Sequence, residues 1–105
     1  MYISQYIDNN GPELFEMCQQ FQVQSLYAFG SATNDHFDQN NSDIDLVIEI
    51  SAEDPIQRGE ALIQIWDRLE KFFKRRVDLI TLSSLKNPIL RANIEKNKIL
   101  IYERS

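Results

Sequence analysis

The residues best equipped for chemistry lie between positions 29 and 49. Gly30-Ser31 closes one apolar run, and Asp43-Ile44-Asp45 opens another after eleven intervening residues. Side chains two apart along a strand point the same way, so Asp43 and Asp45 share a face. Like charges that close repel, and one carboxyl would take up a proton unless a cation sits between them. A pair of magnesium ions fits that need, since hard divalent ions take oxygen ligands. A third acidic residue, Asp78, interrupts the apolar run Val77-Asp78-Leu79-Ile80. An ionised carboxylate there is costly unless a partner or metal offsets its lost water. With its strand beside that of Asp43 and Asp45, the three could hold two ions about 3.5–4 Å apart, the spacing of in-line phosphoryl chemistry.

Gly30-Ser31 offers the other half of such a site. Glycine lets backbone approach a phosphate closely, and free amides of a following helical turn accept an anion. The Ser31 hydroxyl can bond a phosphate oxygen. Gly-Ser alone is usually a strand-ending turn, and Asp-x-Asp alone is a common surface pair. Their combination, each flanked by an apolar run and followed by a third aspartate, is specific.

The rest of the chain must position these residues. Gly11-Pro12-Glu13 reads as a helix start, with Leu14, Cys18 and Phe21 following at helical spacing. A first strand is expected over 25–29 and a loop over 33–42. Ile44, Leu46, Ile48 and Ile50 alternate with Asp43, Asp45, Val47 and Glu49, a period of two that gives a core face and a polar, working face. Asp54-Pro55 caps the longest helix, whose stripe is Leu62, Ile65, Trp66, Leu69, Phe72 and Phe73, with Trp66 expected in the core. A third strand over 76–82, a last helix from about Ser83 or Lys86 to Glu95, interrupted or restarted near Pro88, and a strand over 98–102 complete the chain. The fold class is α/β (α+β): a small mixed sheet of about four strands with helices on one face.

Bulk properties narrow the choices. At 105 residues the chain is expected to form a single domain. A net charge of −5 disfavours direct binding to nucleic acid backbones. The apolar runs are too short to span a membrane, and the first residues lack the pattern of a signal peptide, so the cytoplasm is the expected location. Cys18 is the single cysteine and reads as core packing.

Gly30-Ser31, Asp43-Ile44-Asp45 and Val77-Asp78-Leu79 together resemble the signature of the nucleotidyltransferase superfamily that includes DNA polymerase beta. The short length resembles the minimal nucleotidyltransferase (MNT) domain within it, the MntA-like antitoxins. The resemblance extends to the leading helix and the closing Ile-Leu-Ile-Tyr strand. It implies that Asp43, Asp45 and Asp78 are catalytic and bind two Mg2+ ions, and that Gly30 and Ser31 bind the nucleoside triphosphate, ATP. It also implies a partner, a HEPN-domain ribonuclease toxin encoded nearby, silenced by transfer of AMP to one of its tyrosines. Two departures stand out. The gap after Gly-Ser is eleven residues where about ten is usual, and Ala32-Thr33-Asn34-Asp35 replaces a stretch that often carries arginine and glycine. These leave open an antitoxin that neutralises its toxin by direct binding, with catalysis weak or lost.

Overall fold

A computed structural model describes residues 2–29, 44–81 and 84–104. The elements run α1 (Tyr2–Gln20), β1 (Val23–Phe29), β2 (Ile44–Ile50), α2 (Pro55–Phe73), β3 (Val77–Thr81), α3 (Pro88–Asn97) and β4 (Ile99–Glu103).

The first helix is broken at Asn10, whose φ of −126° and ψ of 22° are not helical. Pro12 stands just past the break, in the first turn of the second stretch, where its missing N–H costs nothing and its fixed φ suits a helix. The Gly11-Pro12 signal therefore locates the start of this second stretch. Leu14, Met17 and Cys18 of that stretch are buried.

The sheet order is β3-β2-β1-β4. β1 pairs antiparallel with both β2 and β4, whereas β2 and β3 are parallel. Parallel neighbours need a crossover connection, which α2 supplies. The Asp54 side chain caps that helix by accepting from the Ile56 amide at 3.0 Å. Lys74 ends it in the left-handed conformation, its N–H returning to the Glu70 carbonyl.

One face of the sheet carries Leu26, Ala28, Ile44, Leu46, Ile48, Val77 and Leu79, packed with residues of α1 and with Ile65, Leu69, Phe72 and Phe73 of α2. Each large apolar side chain buried there contributes about 1.5–3 kcal/mol. The opposite face has its own small cluster: Val47, Leu85 and Ile94 are buried, with Phe29 and Ile80 against them. This corrects the expectation of helices on one face only. α1 and α2 lie on the main core face, and α3 reaches the other through Ile94. The reason lies in β2, where Leu46, Val47 and Ile48 are all buried, as in a central strand covered on both sides. Among the described residues, no helix is long and apolar enough to cross a membrane.

Candidate active site

Asp45 lies in the middle of a row across the sheet. Its neighbour on β1 is Phe29 and its neighbour on β3 is Asp78. Residues directly paired across a ladder project from the same face, so Asp45 and Asp78 do so from adjacent strands, their backbones about 4.8 Å apart. The two carboxylates are thus brought together as the sequence expects. Gly30, Ser31 and Asp43 lie outside the described residues. Phe29, immediately before Gly30, ends β1 beside Asp45.

Asp78 does not meet the expectation of a carboxylate enclosed in an apolar strand. It is exposed, not sunk in an apolar layer, and no polar or charged side chain is buried among the described residues. β3 is an edge strand, and alternation places Asp78 on its open face between buried Val77 and Leu79. Desolvation therefore gives no argument for a partner. The register with Asp45 does.

A cation-binding site fits this arrangement in donor chemistry. Two carboxylates, one exposed and one half-buried, present hard oxygen donors from neighbouring strands. Among the described residues no group of three His, Cys, Asp or Glu side chains could hold a metal ion.

Trp66 departs from its expected place in the core. It is 37% exposed, and its Nε1 donates to the Val77 carbonyl at 2.7 Å. The Val77 amide in turn donates to Glu70 Oε2 at 3.0 Å. Two side chains of α2 thus hold the first residue of β3 from its outer side, one position before Asp78. A buried indole N–H needs a partner, and the sheet edge provides one. Periodicity marks the stripe but cannot foresee that acceptor. A depression of about 540 Å³ follows this edge, lined by Ile63, Trp66, Asp67, Arg76 and Asp78 among others. The position of α3 on the aspartate face was likewise missed. Val47, an apolar residue in the otherwise polar set Asp43, Asp45 and Glu49, was the signal for it.

Comparison with known proteins bears on the family and the fold. Residues 13–105 match the family described as polymerase beta, nucleotidyltransferase. Two relatives come from Methanocaldococcus jannaschii, both provisionally named protein adenylyltransferases. MJ0126 is 34% identical over 87 residues, covering 82% of this chain and 84% of its own. MJ1379 is 32% identical over 81 residues, covering 77% and 79%. Among solved structures, a toxin–antitoxin crystal structure with AMP-PNP aligns with TM-score 0.65 and 22% identity, over 91% of this chain and 75% of the other. A tri-AMPylated HEPN toxin in complex with MNT antitoxin from Shewanella oneidensis gives TM-score 0.59 and 20% identity, over 92% and 72%. At those identities the structural likeness speaks to the fold. The sequence match over 13–105 goes further: this chain is a member of the polymerase beta nucleotidyltransferase family.

Proposed function

We propose that the chain is a protein adenylyltransferase that moves AMP from ATP to a tyrosine of a HEPN-family toxin and thereby acts as its antitoxin. The observation that carries this is the pairing of Asp45 with Asp78 beside the end of β1. The names of the relatives and the toxin–antitoxin assemblies among the structural neighbours support the same reading.

In this reading Asp43, Asp45 and Asp78 hold Mg2+ at the end of β1, and Gly30 and Ser31 hold the phosphates. Bound there, the metal neutralises phosphate charge and lowers the pKa of the attacking hydroxyl. Asp45, central in the row, ties the nucleotide side to the acceptor side. Asp78, exposed at the sheet edge, is placed to accept the proton of the tyrosine hydroxyl as it attacks the α-phosphorus. The bond from that phosphorus to the bridging oxygen breaks, and pyrophosphate leaves. The acceptor enters along the β3 edge, where the depression containing Trp66 and Ile63 reaches Asp78.

The test is to incubate the chain with labelled ATP, magnesium and its co-encoded partner, then map AMP on the partner. Labelling on tyrosine is expected, and Asp43→Ala with Asp45→Ala should abolish it while the complex survives. Labelling that persists in the double variant would reject the catalytic assignment. Absence of labelling, with neutralisation unchanged by the variant, would favour inhibition by binding alone.

A further inference from the structure

The 14 residues from Gly30 to Asp43 contain no lysine or arginine, yet they include Asp35, Asp38 and Asp43. By sequence, the segment between the two strands of the candidate site thus carries three acidic residues and no lysine or arginine. Beyond the Mg2+ proposed above, any side-chain cation for the outer phosphates of a nucleoside triphosphate must then come from elsewhere in the chain. The sheet supplies a candidate on the side away from Asp78.

Lys98 is the C-cap of α3, with its backbone N–H bonded to the Ile94 carbonyl. Its Nζ lies 4.1 Å from the centroid of the Tyr27 ring and 2.8 Å from Glu95 Oε2. Tyr27 pairs with Val47, two residues along β2 from Asp45, so the ammonium sits on the aspartate face. Ala28 pairs with Ile99, which puts Lys98 one residue beyond that pair and level with Phe29. Phe29 in turn is in register with Asp45, and Asp45 with Asp78. A row across three strands thus reads Asp78, Asp45, Phe29; Lys98, the residue just before β4, is next in line. At about 4.8 Å per strand, the backbone of Lys98 is roughly 10 Å from that of Asp45, on the far side of the strand that leads into Gly30.

We propose that Lys98 is a substrate-positioning cation that binds the β- and γ-phosphates of the nucleotide. This rests on the nucleotidyltransferase reading above and adds a residue to it. The lysine is held in place because its ammonium lies over the Tyr27 ring, and its side chain is only 23% exposed. Glu95 neutralises the ammonium before the nucleotide arrives, and the phosphates compete with that carboxylate. The ion pair is short in sequence and open to solvent on the Glu95 side, so exchanging one anion for another costs little.

A purely structural lysine, packing on Tyr27 and closing α3, would affect all nucleotides alike or none. The discriminating experiment is calorimetric titration of the full chain with Mg-ATP and, separately, with AMP. For Lys98→Met, Mg-ATP affinity should fall roughly tenfold, the scale of a lost charge-assisted hydrogen bond, while AMP affinity is unchanged. Lys98→Arg should recover most of the loss, and Glu95→Gln should tighten Mg-ATP binding by freeing the cation. Equal Mg-ATP affinity in wild type and Lys98→Met overturns the proposal, as does a loss shared equally by AMP. Failure of the wild-type chain to bind Mg-ATP overturns the underlying nucleotidyltransferase reading and the proposal with it. Those two failures are told apart by the wild-type titration alone.

Discussion

Asp45 and Asp78 reach their shared row by different means. Asp45 sits on a strand whose period of two sets its face, and Asp78 on an edge strand whose parallel register sets its neighbour. Because Asp78 is exposed, Asp78→Asn should leave stability within about 0.5 kcal/mol of wild type, as surface changes do. AMP transfer should nonetheless fall by roughly a hundredfold or more, the scale of losing a positioned general base. Thermal melting and single-turnover labelling, measured together, check both halves. Trp66→Phe makes the complementary prediction. It keeps the ring and removes the bond to the Val77 carbonyl, at a cost of about 1 kcal/mol in urea unfolding. At this scale the sequence was a good guide to which carboxylates share a face and a poor one to the surroundings of Asp78. The Asp43-x-Asp45 spacing fixes a face by geometry alone. Whether Asp78 is buried, or which carbonyl an indole finds, depends on which strand becomes the edge, and no local pattern encodes that.

Among the elements, α3 is the one whose placement changes the site most. It is short, and among its described side chains Ile94 is the one buried, while Ile89 and Leu90 remain exposed. Its hold on the sheet therefore depends heavily on its cap. The Asn87 side chain accepts from the amides of Ile89 and Leu90 at 2.9 and 3.3 Å. Asn87→Ala should cost about 1 kcal/mol and speed hydrogen exchange of the α3 amides ahead of those in α2. The second stretch of α1 offers a chemical probe of the main core. Burial pushes the Cys18 thiol up to about 12, so it stays protonated and unreactive in the folded chain. An alkylating reagent at pH 8 should modify it only as the protein unfolds. Above the ordinary thiol range the unfolded chain loses this proton and the folded one keeps it, so stability should fall as pH rises from about 9 toward 12. Element starts were legible wherever proline and a cap coincide, as at Asp54-Pro55 and Gly11-Pro12. The helical stretch before Asn10 carries no such signal. The face taken by α3 depends on a single buried isoleucine, too little for periodicity to register.

Across the molecule, the candidate site lies at one end of a four-stranded sheet whose main core lies on the opposite face. The arrangement separates the residues that hold α1 and α2 to the sheet from those proposed to face the nucleotide. Net charge of −5 also suits a basic protein partner, and association with such a partner should weaken as ionic strength rises. Counting bound metal addresses the shared carboxylate site with no partner needed. Manganese, read by its paramagnetic resonance signal, can stand in for magnesium during titration of the chain with a non-hydrolysable ATP analogue present. Two ions per chain are expected for wild type, with clear loss in Asp78→Asn and near-complete loss when Asp45→Asn is added. Undiminished manganese binding by that double variant would contradict a cation site built on the Asp45–Asp78 pair.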